Sequence, residues 1–407
     1  MFYLDNSIAT WSDYRSQCAI LPDGTWNHFI FGVMLTASQF DELIIPIMDL
    51  FHEYEQSVLN DIARRLTNLD FASAAWQAQR LSESGFLYNG ILKKISRLTG
   101  QSEKQIAETL KRAGVKAIVF DDKIYKQAGL NPLPLNLSPA MLQTLIAGIT
   151  KTNGVISNLT KTTALTAQQS FIRASNLAYQ QVVTGAMSYD QAIRSAIKNV
   201  AAQGLDVIDY ASGHQDKLDV AIRRNVLTGV AQTAGQLQMT RADEMGSDLV
   251  AVSAHVGARN KGIEPENHEM WQGKVYSRSG THPKYGNFIE HTGYGTVTGL
   301  NGANCRHSFA PFFEGLSENA YSREDLKDFA NESVTYNGQQ IDMYSATQYQ
   351  RGIERKIRQW KREASALSAA KLDNAFEIGK VKIWQRKMRA FINETGLSRQ
   401  YVREQVS

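Results

Sequence analysis

Thr36-Ala-Ser-Gln-Phe-Asp-Glu-Leu-Ile-Ile-Pro-Ile-Met-Asp-Leu-Phe51 is where a period first appears in the chain. Thr36 and Gln39 have capping-box spacing: a hydroxyl that accepts from an orphan amide, and an amide side chain that reaches back. Apolar residues then recur at Phe40, Leu43, Ile44, Ile47, Phe51, Val58, Ile62 and Leu66. Steps of mostly three, four and seven mark one buried helix face. Pro46 has no amide hydrogen to donate, so the pattern predicts a kink, or a restart with Pro46 in the first turn.

Upstream, residues 1–33 carry Trp11, Cys18 and Trp26 but no sustained period. They read either as upstream read-through ahead of a start at Met34 or as an irregular arm. They lack a basic region, an apolar run and a small-residue cleavage site in sequence, so no secretory signal is expected.

Downstream, the helical reading continues over 69–128, where Ser102-Glu-Lys-Gln105 repeats the capping-box spacing before Ile106, Leu110 and Ala113. Leu130-Asn-Pro-Leu-Pro-Leu-Asn-Leu-Ser-Pro139 holds three of the eight prolines and reads as a linker. Long helices resume over about 140–202. Alternation over 205–211 and the run Leu249-Val-Ala-Val-Ser253 predict short strands, with a helix over about 216–245 between them. Residues 255–315 then hold ten glycines and five of the eight histidines, and the helical period is gone. It returns in two stripes: Ile353, Ile357, Trp360, Ala364 and Leu367, then Val381, Trp384, Met388 and Phe391. Leu372-Asp-Asn374 separates them, which predicts an antiparallel helical hairpin.

The fold class expected is therefore α+β, predominantly α-helical, with long helices, a small Gly/His-rich α+β unit and a C-terminal hairpin. Texture divides the 407 residues into 1–33, a helical domain over 34–129, a linker over 130–139, long helices over 140–247, the Gly/His-rich unit over 248–342 and the hairpin over 343–407. At about 150 residues per domain the length allows two or three domains and a sizeable core.

Composition narrows the function classes. The net charge of +4 does not mark a bulk nucleic-acid binder. Yet fourteen Lys/Arg and only six Asp/Glu fall in 343–407, so the hairpin carries an excess of eight positive charges and the rest of the chain an excess of four negative. Two cysteines, Cys18 and Cys305, cannot build a disulfide framework, and a reducing compartment is expected. No uninterrupted apolar stretch approaches 18 residues, so no membrane span is expected.

The residues with chemistry cluster in four runs: Ser253-Ala-His-Val-Gly-Ala-Arg-Asn260, Asn267-His-Glu-Met-Trp-Gln-Gly-Lys-Val-Tyr-Ser277, Thr292-Gly-Tyr-Gly295 and Asn304-Cys-Arg-His-Ser-Phe-Ala-Pro311. His255, His268, Cys305 and His307 are candidate zinc ligands, and Cys305 and His307 would share a side of an extended segment. Paired Cys-x2-Cys clusters are missing, and no second histidine follows His268-Glu269 at zincin spacing. The plainer reading is that these side chains hold turns together. Cys305 beside an imidazole also has the residue types of a nucleophile, against the plainer reading of a small buried cysteine. Gly293, Gly295, Gly299 and Gly302 suggest a phosphate loop, but no Gly-Lys-Ser/Thr follows, and turns at positive φ are the simpler use. Trp271, Tyr276, Tyr294 and Phe309 read either as a base-stacking platform or as core aromatics. Lys356, Arg358, Lys361, Arg362, Arg386, Lys387 and Arg389 are candidate contacts to the phosphate backbone of DNA, or else a solvated helix face.

These runs resemble the phage minor capsid protein 2 family, which is akin to the minor head proteins of the Mu F type in tailed phages and prophages. The residues that carry the resemblance are His255, Gly257, Arg259, His268, Trp271, Gly273, Tyr276, Gly293, Tyr294, Gly295, Asn304, Cys305, Arg306 and His307. Asp61-Ile-Ala-Arg-Arg65, Arg224-Asn-Val-Leu-Thr-Gly-Val230, Tyr349-Gln-Arg351 and Thr395-Gly-Leu397 lie in stretches that extend it over about 34–407. The resemblance implies a structural head protein that associates with portal and capsid proteins, and with packaged double-stranded DNA. It would sit in the capsid interior or at the portal vertex, after a stage in the host cytoplasm. No catalytic set, membrane contact or small-molecule substrate is implied. No cofactor is expected, zinc being the one candidate. The alternative is a metal-dependent hydrolase or nuclease built on the cluster between residues 255 and 307. A general DNA-binding protein is the third reading, for which only the hairpin offers charge.

Overall fold

The computed structural model describes residues 35–208 and 213–406. The expectations for residues 1–33, among them the start at Met34 and any role of Cys18, lie outside the described residues. So does the end of the strand expected over 205–211. The fold is α+β and predominantly helical: eleven helices and seven short strands among the described residues.

The opening stretch folds as its spacing predicts. Thr36 and Gln39 make the reciprocal capping box, Gln39 N–H donating to Thr36 Oγ1 at 3.3 Å and Thr36 N–H to Gln39 Oε1 at 3.2 Å. Helix α1 (Ala37–Leu43) follows, and α2 (Ile45–Leu66) restarts at once with Pro46 in its first turn. Helix α3 (Trp76–Gln127) is a single helix through Ser102. The capping-box spacing there marks no helix start, because Ser102 Oγ donates back to Thr99 O at 3.1 Å and Ile106, Leu110 and Ala113 simply extend the buried face. The proline-rich stretch contains a 3-10 turn at Leu135–Leu137, and Pro139 opens α4 (Pro139–Val183). Then come α5 (Tyr189–Gln203), the paired strands β1 (Asp206–Ile208) and β2 (Gln215–Lys217), and α6 (Leu218–Met245).

Contacts divide the chain into two compact units. The first holds described residues 35–43, 109–149 and 227–347. Its sheet has order β4-β3-β5, all antiparallel: β3 (Leu249–Val252), β4 (Val275–Ser277) and β5 (Phe309–Pro311). Val250 pairs with Tyr276, and Ala251 with Ala310. Short helices α7 (His268–Trp271) and α8 (Phe288–Thr292) fill the connections. Val250, Val252, Trp271, Tyr276, Phe288, Leu300, Cys305 and Phe309 form one buried cluster, with Met239 of α6 against it. Gln238 of α6 reaches the same sheet, its Nε2 donating to Phe309 O and, at 3.2 Å, to the buried Asp121 carboxyl. Arg241 is fully buried and binds Asp122, Glu244 and the Leu133 carbonyl, which ties the proline-rich stretch to α6. Helix α9 (Arg323–Asn331) and the hairpin β6 (Ser333–Tyr336)/β7 (Gln339–Asp342) complete the unit, Asn337 and Gly338 making the turn at positive φ.

The second unit holds described residues 44–108, 150–208, 213–226 and 348–406. Helix α2 packs on α5. Helices α10 (Met343–Ala369) and α11 (Ala375–Thr395) form the antiparallel hairpin, as the ring pairs show: Tyr349 meets Phe391 and Trp360 meets Phe376. Two arginines of α10 are held by partners here. Arg358 binds Asp219 at 3.0 Å, and Arg362 donates to the Ala201 and Ala202 carbonyls beside Glu55.

No helix among the described residues is long and apolar enough to cross a membrane.

Candidate functional site

Three of the four candidate ligands converge. One donor atom each from His268, Cys305 and His307 lies within 4.8 Å of the other two, and all three residues are buried. The convergence has local causes. His268 opens α7, while Cys305 and His307 lie two apart on the strand-like approach to β5, with Arg306 on the other side of the chain. Arg306 is drawn away to Asp41 of α1, 3.2 Å distant, and Ser308 Oγ donates to Leu35 O.

Hydrogen bonds fix one ring nitrogen of each histidine. His268 Nε2 sits 2.8 Å from the Thr298 carbonyl and must donate to it. Gln272 Oε1 accepts from the His255 amide at 3.0 Å, so it also accepts from His307 Nε2, likewise at 3.0 Å. Burial pushes the His268 imidazole down to about 4, and His307 well below its usual value, with the neighbouring His255 and His268 adding to the effect. Both rings are therefore neutral near pH 7, and each keeps a lone pair on Nδ1. His307 Nδ1 lies 3.6 Å from Cys305 Sγ. His255 stands apart from this trio: its Nδ1 donates to Val256 O, and its ring stacks on His307 at 4.3 Å.

The remaining signature residues are scaffolding. Arg259 donates to the Thr298 and Ala303 carbonyls, clamping the loop that His268 also holds. Trp271 Nε1 donates to Pro265 O, and Tyr276 Oη donates to Trp271 O. Gly257, Gly273, Gly293, Gly295 and Asn304 all take positive φ, so they are turn positions. The loop over 293–302 is not a phosphate cradle. Its amides are bonded inward, Leu300 to Thr292 O, Gly302 to Gly299 O and Gly299 to Thr296 Oγ1. A Cβ at Gly299 would run into the Gly293 carbonyl, so the close approach of backbone decides that residue. Trp271, Tyr276 and Phe309 are core aromatics rather than a platform for bases. Burial also pushes the Cys305 thiol up, so a neutral thiol faces a neutral imidazole, and the activated thiolate a nucleophile needs is not favoured.

The basic hairpin is only partly available. Arg358 and Arg362, expected as outward contacts, point inward to Asp219 and to the Ala201 and Ala202 carbonyls, because their positions fall beside the buried stripe of α10. Lys361 is half-buried and donates to Gln405. Lys356, Arg386, Lys387 and Arg389 are exposed. Spacing on α11 adds a cation that the composition did not single out: Lys382 shares a groove with Arg386 and Arg389.

The family model described as phage minor capsid protein 2 matches residues 35–393. The chain belongs to that family. A relative named "Structural protein" from Lactococcus phage LL-H is 26% identical over 366 residues, covering 85% of this chain and 93% of its own. Another "Structural protein", from Lactococcus phage mv4, is 32% identical over 130 residues, covering 31% of this chain and 94% of its own. No solved structure matches the chain. The matched range holds both the trio and most of α11.

Gln272 and Thr298 are the residues that sequence reasoning missed. Thr298 acts through its backbone carbonyl, which leaves no residue-type signal. Gln272 lies within the Trp-Gln-Gly run, and its position one residue past Trp271 was the only clue.

Proposed function

We propose that the chain is a minor capsid protein that assembles with portal and capsid proteins inside the head, and that the exposed face of α11 meets the phosphates of packaged DNA. Family membership supports the virion setting. The observation that carries the DNA contact is the row Lys382, Arg386 and Arg389, which repeats at four and three on one face of α11 and stays exposed. Cations at that spacing follow one side of a helix, and counterion release rewards each phosphate they neutralise.

Titration of labelled double-stranded DNA with the full chain at increasing salt tests the contact. The affinity should fall linearly on logarithmic axes. Lys382→Gln/Arg386→Gln/Arg389→Gln should flatten the slope by about 0.9 for each phosphate that is no longer neutralised. A slope unchanged by the triple variant would contradict the DNA contact. Capture of the portal protein of the same phage by the full chain tests the docking, and failure to capture it in either direction would contradict it.

A further inference from the structure

We propose that His268, Cys305 and His307 bind a zinc ion that fastens the loop before β5 to α7. Four observations meet at this point. The donors are the sulfur and imidazole types that zinc selects. One separation matches a shared ion closely: zinc bound to sulfur at about 2.3 Å and nitrogen at about 2.1 Å, at a tetrahedral angle, puts the two roughly 3.6 Å apart. Cys305 Sγ and His307 Nδ1 are 3.6 Å apart. Each histidine gives its Nε2–H to a fixed acceptor, His268 to Thr298 O and His307 to Gln272 Oε1, which leaves Nδ1 of each ring as the lone-pair donor, the kind of bond that orients an imidazole for a metal. Finally, Arg259 and His268 share the Thr298 carbonyl, so the loop carrying the acceptor is itself held.

Binding displaces the Cys305 thiol proton to solvent, and the sulfur enters as thiolate. The three protein donors leave one position of a tetrahedral site for water or a further donor. All three are at most 3% exposed, so the ion serves the fold and does not face a substrate. It would join residues 268, 305 and 307 across a unit whose strands are only three or four residues long. This site stands whether or not the chain touches portal or DNA.

The test uses the full chain, purified with zinc present and then dialysed. Elemental analysis should find about one zinc per chain, as a single tetrahedral site requires. Replacement by cobalt(II) should give a thiolate-to-cobalt charge-transfer band in the near ultraviolet. Cys305→Ser should lose that band, and chelation of the wild type should lower its melting temperature. A wild-type chain that is helical by circular dichroism yet holds no stoichiometric metal and shows no cobalt band overturns the proposal. That readout needs no variant, so a misfolded Cys305→Ser leaves it intact.

Discussion

Single side chains decide whether the cluster is ordered. Gln272 is buried, and one oxygen accepts from both the His255 amide and the His307 ring. Gln272→Leu would leave both donors without a partner, at about 1–3 kcal/mol for each buried group. Urea unfolding should show a loss in that range, and an unchanged midpoint would remove Gln272 from its anchoring role. A second residue-scale prediction concerns His52. Burial, reinforced by Arg358, lowers it from 6.5 to about 4. A folded value below the unfolded one means that the unfolded chain binds the extra proton. The stability tied to His52 is therefore complete above pH 6.5 and declines as the pH falls toward 4, by at most about 1.4 kcal/mol per unit. His52→Gln should make stability less sensitive to pH in that window, and an identical pH dependence would contradict the assignment. Cys305 and His307 were legible as a pair because alternation places them on one side of the chain. Their partner His268 was legible only as a type, since nothing local in the sequence measures a distance across 37 residues.

At the scale of elements, periodicity carries most of the fold. The stripe from Phe40 to Leu66 gave α1 and α2, and the two stripes after Ile353 gave α10 and α11, because tertiary burial there agrees with local pattern. Ser102 shows the limit. A capping-box spacing inside a long amphipathic stretch competes with continuation of the helix, and continuation won because the buried face runs on to Tyr125. The inward turn of Arg358 and Arg362 was hidden for a related reason: their partners, Asp219 and the Ala201 and Ala202 carbonyls, are distant in sequence. Two variants test this level. Thr36→Ala removes one half of the capping box and should cost about 1 kcal/mol in urea unfolding. Gly299→Ala sets a Cβ against the Gly293 carbonyl and should cost about 1–3 kcal/mol or more, with disruption of the loop that presents Thr298. If Gly299→Ala unfolds at the wild-type midpoint, the close approach is not needed.

Across the whole molecule, charge and fold assign different tasks to different residues. The net charge of +4 conceals a C-terminal segment with eight positive charges in excess. Part of that excess is buried in ion pairs, and Lys382, Arg386, Lys387 and Arg389 are exposed along α11. The histidine-cysteine cluster lies in the other unit and is closed to solvent. A phage structural protein with an exposed basic face and a buried histidine-cysteine cluster is the reading that accommodates both. Protein analysis of density-purified particles of the parent phage tests it most directly. The chain is expected in mature particles, and it should remain with the portal when the capsid shell is dissociated. Its absence from purified particles and from the released portal fraction would contradict that reading.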